Sequence, residues 1–328
     1  MQILEVNNMK TIGVLTSGGD APGMNAAIRA VVRSGCEGGM RVMGIRRGWN
    51  GLMYGDLYEM NLRSVSNIIN RGGTILYSAR SPEFKTEEGM QKAIDVCKEI
   101  DMEGVVVIGG DGSFRGARDL SLRGIPCVGI PGTIDNDIAC CDYTIGYDTA
   151  MNTAMEMVDR LRDTTESHDR CSVVEVMGRS AGYIALNVGI AVGATTILIP
   201  EVDFDFEHDV IDRMKKTQKA GKRHFIVVVA EGIGGVDKMA ERIQEEMGVD
   251  SRATVLGHVQ RGGSPTVRDR VSASQMGYRA VELLKDGIGN RVVGMQKDAI
   301  VDYDIFEALN MKKSIDLDLY RIAHEISI

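Results

Sequence analysis

The sequence lacks the features that mark membrane, secreted and nucleic-acid-binding proteins. No apolar run reaches the ~18 residues that a membrane-spanning helix needs. The N-terminus has no basic region followed by an apolar block of the secretory type. Acidic side chains outnumber basic ones and give a net charge of −8, which argues against a broad basic surface for nucleic acid. We therefore expect a protein that binds neither a membrane nor nucleic acid.

The cysteines lack the spacing of a metal or redox motif. The six cysteines include no Cys-x-x-Cys pair. Cys140 and Cys141 are adjacent, which is a poor geometry for an ordinary disulfide. Reduced thiols are therefore expected, and with them a cytoplasmic location.

Glycine is abundant, and it follows most of the apolar segments. The 328 residues, enough for two domains with a core each, include 39 glycines. Predicted strands, each followed by glycine or polar residues and then a helical pattern, cover residues 11–16, 105–108, 128–130, 172–176, 225–230 and 254–256. This alternation predicts an α/β fold with two doubly wound domains and mainly parallel sheets. Ligands of such sheets bind at the carboxyl ends of the strands.

Residues 131–137, Pro-Gly-Thr-Ile-Asp-Asn-Asp, follow one of these strands and carry the densest set of reactive groups. Side chains two apart in an extended segment share a face, so Thr133, Asp135 and Asp137 are expected to converge on one ligand. One carboxylate would accept the proton of an alcohol, and the other would help to hold hydrated Mg²⁺. A polar turn with an Asx cap is the structural alternative.

Two glycine-rich loops are suited to phosphate. Residues 17–20 and 109–113 place backbone N–H groups ahead of helical patterns, where phosphate oxygens are attracted. Asp111 is the metal candidate, since Mg²⁺ would bridge its carboxylate to the phosphate. Helix caps at Ser17, Ser113 or Asp111 explain the same residues. Neither loop fits the P-loop or the dinucleotide pattern, which disfavours a dehydrogenase.

Cationic and polar side chains lie beside other turns. Guanidinium groups bind phosphate bidentately and stabilise charge during phosphoryl transfer. The candidates are Arg80, Arg170, Arg179, Arg252 and Arg261. His258 and Glu231 could contact sugar oxygens, although a structural histidine and a surface carboxylate are the ordinary alternatives.

The longer motifs are, in order, GVLTSGGDAPGMNAAIR, INRGGT, SAR, VVIGGDGS, PGTIDND, DYTIGYDTA, VVEVMGRSAG and TVLGHVQRGGSP. Together they resemble the bacterial-type 6-phosphofructokinases, from Met9 to about Asn310. The resemblance implies that Mg²⁺ and ATP are used to phosphorylate the 1-hydroxyl of fructose 6-phosphate. The products would be fructose 1,6-bisphosphate and ADP, in the committed step of glycolysis.

The resemblance also implies an active site in a cleft between two domains. The larger, ATP-binding domain would comprise residues 1–146 plus about 260–310. The smaller, fructose-6-phosphate-binding domain would comprise about 147–259 plus 311–328. In the family Arg170 and Arg252 come from a neighbouring subunit, so a homotetramer with shared active sites is expected.

Single residues receive roles from the same resemblance. Asp135 would be the general base, supported by Thr133 and Asp137. Arg179 would stabilise charge on the transferring group. The nucleotide contacts would be Gly19, Trp49, Arg80, Ser81, Gly110, Asp111, Gly112 and Ser113, with Asp111 also on the metal. The sugar-phosphate contacts would be Thr133, Asp135, Arg170, Met177, Gly178, Arg179, Glu231, Arg252, His258 and Arg261.

Two glycines bear on the phosphoryl donor. Relatives that use pyrophosphate typically have Asp in place of Gly112 and Lys in place of Gly132, and these side chains would obstruct a nucleotide. The chain therefore resembles the ATP-dependent type. A kinase for tagatose 6-phosphate or sedoheptulose 7-phosphate is the enzymatic alternative. A catalytically silent homologue is disfavoured because Asp111, Asp135 and Arg179 are all present.

A second site, for ADP or phosphoenolpyruvate as effector, is implied as well. Its basic residues match at Arg29, Arg33, Arg162 and Lys222. Family charges are missing at Leu62, Asn67, Thr195 and Ala220, and Thr195 replaces a glutamate that helps to hold the effector's metal. Reduced or altered ADP activation is therefore expected. Residues 1–8 precede the usual family start and are expected to be an upstream start or a frayed extension.

Overall fold

A computed structural model describes residues 11–327, so the expectation for residues 1–8 lies outside the described residues. The chain divides into two compact units, each built on one sheet. The first unit comprises residues 11–133, Ile138–Asp148 and Arg261–Lys312. The second comprises Ile134–Asp137, Thr149–Gln260 and residues 313–327.

The strands alternate with helices along most of the chain. The strands are β1 (Thr11–Ser17), β2 (Arg41–Ile45), β3 (Leu57–Met60), β4 (Gly104–Gly109), β5 (Cys127–Pro131), β6 (Cys171–Val176), β7 (Thr196–Leu198), β8 (Phe225–Ala230), β9 (Ser251–Val255), β10 (Arg291–Gln296) and β11 (Ala299–Asp304). The helices are α1 (Met24–Glu37), α2 (Trp49–Tyr54), α3 (Glu87–Glu99), α4 (Asp111–Ser121), α5 (Tyr147–Ser167), α6 (Tyr183–Ala191), α7 (Arg213–Lys219), α8 (Val236–Met247), α9 (Val267–Lys285), α10 (Ile305–Asn310) and α11 (Leu317–Ile326). A π-helical segment, Glu207–Asp212, leads into α7, and Gly257–Arg261 forms a 3₁₀ turn.

The first unit contains a seven-stranded sheet in the order β11-β10-β5-β4-β1-β2-β3. Its central strands are parallel, and antiparallel β3 and β11 form the two edges. The second unit contains a four-stranded, wholly parallel sheet in the order β7-β8-β6-β9. The predicted α/β class with mainly parallel sheets is confirmed.

Buried apolar side chains explain why these segments form their elements. In α1, Met24, Ile28 and Val31 recur at helical spacing and are all fully buried. β4 and β8 are buried along their whole length, as expected for strands covered on both faces. Burying each Val, Leu or Ile side chain contributes ~1.5–3 kcal/mol, so these runs stabilise the interior of each sheet.

Strand register puts the ends of three strands of the first unit level with one another. Ser17 of β1 pairs with Gly109 of β4, and Gly109 pairs with Pro131 of β5. In the second unit, Val176 of β6 pairs with Ala230 of β8. The segments that follow these strands therefore start from one edge within each sheet.

The predicted strand positions are confirmed for residues 11–16 and 225–230, whereas the last predicted strand lies earlier, at Ser251–Val255. The caps proposed at the two serines are wrong. Ser17 ends β1, and Ser113 lies inside α4, whose N-cap is Gly110.

Among residues 11–327, no helix combines the length and apolar character needed to cross a bilayer.

Candidate active site

The loops after β1 and β4 are tied together by a buried hydroxyl. Ser113 Oγ donates to the carbonyl oxygen of Ser17 at 3.1 Å. A Cβ on Gly109 would lie 2.5 Å from both Ser113 Oγ and Ser17 O, so only glycine fits there. The N-terminus of α4 follows directly, and its free N–H groups and helix dipole favour an anion. The two predicted phosphate loops are thus neighbours in one unit.

Asp111 is the first residue of α4. The N-cap of this helix is Gly110, so Asp111 does not have the capping role that was its structural alternative. Its carboxylate accepts from Arg115 Nε at 2.9 Å and is 41% exposed. In the part of the chain that the structure describes, no group of three or more His, Cys, Asp or Glu side chains could hold a metal. Mg²⁺ is usually bound by one or two carboxylates together with substrate phosphates, and Asp111 fits that mode.

Gly112 and Gly132 differ in what surrounds them. A Cβ on Gly112 meets no heavy atom within 4 Å, and its φ lies outside the left-handed region. A Cβ on Gly132 would lie 3.0 Å from Ile108 Cγ2 and 3.1 Å from Met24 Cε. Packing therefore favours glycine at position 132, whereas at position 112 the protein itself leaves room for a side chain.

Arg261 belongs to the first unit and lies against the loop after β1. Its Nη1 donates to the carbonyl oxygen of Asp20 at 3.0 Å. A Cβ on Gly19 would approach the same nitrogen to 2.7 Å. The glycine thus lets the guanidinium pack directly on the backbone of a predicted nucleotide loop.

Other predicted nucleotide residues lie in different surroundings. Trp49 is buried, and its ring stacks on Phe84 at 4.2 Å, so a nucleotide contact for it stays a prediction. Arg80 is exposed, and Ser81 Oγ accepts from the N–H of Phe84 at 3.3 Å.

Asn25, which sequence reasoning missed, holds the loop that precedes Arg80. Its Nδ2 donates to the carbonyls of residues 71 and 72, and its Oδ1 accepts from the N–H of residue 75.

The segment of residues 131–137 passes from the first unit to the second between Thr133 and Ile134. Its extended conformation was predicted wrongly, because Asn136 adopts a left-handed φ of 52°. Thr144 Oγ1 donates to the carbonyl oxygen of Thr133 at 2.6 Å and fixes the backbone there. Thr133 and Asp135 are each 8% exposed, so both side chains are largely shielded from water.

The turn after β6 carries three predicted sugar-site residues. Gly178 has a φ of 144°, and a Cβ there would lie 2.5 Å from the carbonyl oxygen of Ala181. Arg179 has a left-handed φ of 59°, uncommon for a residue with a Cβ. Its N–H donates to Glu231 Oε1 at 2.5 Å, while its side chain is exposed. The fold thus holds a strained turn that presents a guanidinium.

A tyrosine missed by sequence reasoning begins α6, shortly after this turn. Burial, followed by the nearby carboxylates of Glu201 and Asp137, raises the pKa of Tyr183 to about 12. Its hydroxyl therefore stays protonated across the physiological range and can act as a hydrogen-bond donor.

Two of the predicted phosphate-binding arginines share one carboxylate. Arg170 Nε lies 2.6 Å from Asp250 Oδ2, and Arg252 Nη2 lies 3.1 Å from Asp250 Oδ1. Arg170 directly precedes β6, and Arg252 belongs to the neighbouring strand β9, where it pairs with Ser172 of β6. Asp250 was not predicted, because the sequence does not reveal that β6 and β9 pair. His258 is exposed in the 3₁₀ turn after β9.

Of the predicted effector residues, the structure brings Arg162 and Lys222 together in the second unit. Lys222 Nζ donates to Thr195 Oγ1 at 3.2 Å, and Arg162 donates to the carbonyl oxygen of Val192. Burial, and then the charge of Arg162, lowers the pKa of Lys222. Arg29 and Arg33 lie on α1 of the first unit. The hydroxyl of Thr195 is therefore the hydrogen-bond partner of Lys222 in this part of the second unit.

The chain is similar to known phosphofructokinases in sequence and in fold. The family model described as phosphofructokinase matches residues 11–284. An ATP-dependent 6-phosphofructokinase of Clostridioides difficile is 58% identical over 98% of this chain and 100% of its own length. One of Clostridium tetani is 57% identical over 97% of this chain and 100% of its own length. The structure of phosphofructokinase from Saccharomyces cerevisiae is 33% identical, with a TM-score of 0.87. The match covers 97% of this chain but 48% of the yeast chain.

Proposed function

The chain belongs to the phosphofructokinase family, and we propose that it transfers the γ-phosphoryl group of ATP to the 1-hydroxyl of fructose 6-phosphate with Asp135 as the general base. The enzyme is an ATP-dependent kinase of glycolysis that phosphorylates fructose 6-phosphate. The proposal depends above all on one observation. The segments that follow β1, β4 and β5 start level with one another and carry the phosphate loops and the catalytic segment.

Asp135 takes the proton of the sugar hydroxyl as the new bond to phosphorus forms. Its shielding from water supports this role, because a buried carboxylate is a stronger acceptor toward a bound alcohol than a hydrated one. Thr133 and Asp137 position the segment. Burial of Tyr183 beside Asp137 supplies a hydrogen-bond donor near the second carboxylate.

Arg179 stabilises the negative charge that spreads over the transferring phosphoryl group. Its exposed guanidinium on a backbone fixed by Glu231 supports this assignment. Asp111 would hold Mg²⁺ together with the phosphates of ATP. When bound, that cation neutralises phosphate charge.

The first unit supplies the nucleotide contacts. Its loops at Gly19 and at Gly110–Ser113 offer backbone N–H groups to the phosphates, as in other helix N-terminal anion sites. Arg80 and Ser81 follow the loop held by Asn25. We also assign Trp49, whose ring stacks on that of Phe84, to the nucleotide contacts. This assigns the larger of the two predicted domains to ATP.

The second unit supplies most of the sugar contacts, which are Met177, Gly178, Arg179, Glu231 and His258. We assign Arg170 and Arg252 to the 6-phosphate in the site of a neighbouring subunit, within a cytoplasmic homotetramer. Arg261, which belongs to the first unit, is assigned to the 6-phosphate as well. The shared Asp250, which holds Arg170 and Arg252 side by side, supports a joint role for these two arginines.

Donor choice tests the proposed function directly. The purified enzyme should turn over fructose 6-phosphate with ATP and not with pyrophosphate. Gly112→Asp should lower kcat/KM for ATP by roughly 100-fold, since placing like charges side by side costs several kcal/mol. Steady-state kinetics with each donor measure both effects.

Gly112 is a sharp test because a Cβ there meets no protein atom within 4 Å. The variant should therefore keep the thermal stability of the wild type. Gly112→Asn, which has nearly the same shape as Gly112→Asp without the charge, is the matched control for introducing a side chain at this position. Efficient use of pyrophosphate by the wild type would contradict the donor assignment. A higher kcat/KM for tagatose 6-phosphate or sedoheptulose 7-phosphate would contradict the sugar assignment.

Effector binding should be weak for metal-bound nucleotides. We propose that the basic side chains of Arg162 and Lys222 bind a phosphorylated effector, either ADP or phosphoenolpyruvate. Thr195 lacks the carboxylate that would hold a cation. Each lost charged hydrogen bond contributes ~1.5–3 kcal/mol, so ADP activation at low fructose 6-phosphate should be roughly tenfold weaker in the wild type than in Thr195→Glu. Strong ADP activation of the wild type, unchanged in Thr195→Glu, would refute this assignment.

A further inference from the structure

Three backbone N–H groups around the turn after β6 are each bound by a side chain from a distant segment. The pairs are Met177 N–H with Gln260 Oε1 (3.2 Å), Arg179 N–H with Glu231 Oε1 (2.5 Å) and Gly182 N–H with Glu201 Oε1 (2.8 Å). The turn that presents Arg179 is therefore held from outside rather than by its own hydrogen bonds alone.

Gln260 differs from the other two acceptors because it is fully buried and uses both ends of its carboxamide. Its Oε1 accepts from Met177, and its Nε2 donates to the carbonyl oxygen of Gly257 at 3.0 Å. Its exposed fraction is 0%. The side chain thus links the turn after β6 to the 3₁₀ turn that carries His258.

This link is one that only a neutral carboxamide can make. A carboxylate can accept from Met177 but cannot donate to Gly257, and an alkyl side chain does neither. Losing it leaves a partly buried N–H and a partly buried carbonyl without this partner, which is costly wherever water does not replace the carboxamide. The left-handed backbone of Arg179 adds strain that the surroundings must hold.

We propose that Gln260 is a positioning residue for the sugar-phosphate half of the reaction. It sets Met177 and His258 at a fixed separation and, through the same turn, orients Arg179. The proposal rests on the proposed function for the roles of those three residues. It assigns no direct contact with substrate to Gln260.

Two variants of Gln260 test the proposal. Gln260→Leu should raise KM for fructose 6-phosphate by roughly tenfold, the effect of one unsatisfied buried group, and should lower kcat. KM for ATP should change less than about twofold, because both hydrogen-bond partners of Gln260 lie in the turns that carry the proposed sugar contacts. Gln260→Glu should show a similar defect at pH 8. Its KM for fructose 6-phosphate and its kcat, each divided by the wild-type value at the same pH, should approach one at pH 6. The reason is that the protonated carboxyl again donates to Gly257.

A matched core variant separates positioning from general destabilisation. Ile243→Ala removes a fully buried side chain in the core of the same unit. It should lower the unfolding temperature while leaving both KM values near wild type. Equal shifts of both KM values in Gln260→Leu, or no pH-dependent recovery in Gln260→Glu, would overturn the proposal. If Gln260→Leu does not fold, the isosteric Gln260→Glu decides the question alone.

Failure of the proposed function gives a different result. A wild-type enzyme without activity on fructose 6-phosphate and ATP would contradict the proposed function before any variant is compared. An active wild type whose Gln260 variants behave normally would sink only the positioning role.

Discussion

Replacing Asp135 with asparagine should lower kcat by ~10²–10⁴-fold, the range for loss of a general base, with KM for both substrates changed only a few-fold. Asparagine has the same shape but cannot accept the proton, so the sugar can bind while the alcohol stays protonated. The side chain is 8% exposed, which limits the access of water as a substitute base. Steady-state kinetics give kcat, and calorimetric titration with fructose 6-phosphate gives binding.

Asp142→Asn is the control for removing a carboxylate nearby in the sequence. Asp142 accepts from the N–H of Lys297 at 2.8 Å, a bond that asparagine can retain through its carbonyl oxygen. This variant should keep wild-type kcat. A kcat for Asp135→Asn within tenfold of wild type would remove Asp135 from the role of base.

Replacing Arg179 with glycine should lower kcat by roughly 10³-fold or more, the scale of an arginine that stabilises a phosphoryl transition state. The same change should leave the unfolding temperature unchanged or slightly raised. Arg179 holds a φ of 59°, and glycine adopts that conformation without the ~1–2 kcal/mol cost of a Cβ. Kinetics and thermal unfolding are measured on one preparation.

Lys297→Gly relieves similar backbone strain at a φ of 48° in the β10–β11 turn. It should show the same thermal behaviour with full activity. Arg179→Lys keeps the charge and the backbone strain but loses bidentate binding, so its kcat should lie between those of Arg179→Gly and the wild type. A loss of stability in Arg179→Gly without a loss of turnover would instead indicate a purely structural arginine. We expect instead that the backbone strain at Arg179 is retained in the wild type because this conformation orients the guanidinium charge.

The sequence predicted the strands better than it predicted the links between them. Apolar runs such as residues 225–230 must be buried on both faces of a sheet, so hydrophobicity locates them closely. The glycine-rich loops were predicted on the same basis, because glycine ends these apolar runs. The glycine-rich segment of residues 109–113 was correctly placed ahead of a helix, but α4 already begins at Asp111, because Gly110 caps it without a side chain.

Residues that join distant segments were missed for a physical reason. Gln260 and Asp250 have partners far away in the sequence, and pairing of β6 with β9 brings them there. No local pattern encodes that pairing. The bend at Asn136 was missed because asparagine tolerates a left-handed φ at low cost, which breaks the alternation on which the extended prediction depended.

The carboxylate of Asp250 has a consequence for the entropy of the two arginines that it binds. Arg170 and Arg252 are long side chains, each of which loses ~2 kcal/mol of rotamer entropy when it is fixed. Asp250 holds both within the fold of a single chain. That ordering comes with the folding of the single chain. If the two arginines bind a phosphate as proposed, the phosphate would replace one carboxylate between two guanidinium groups that already lie side by side.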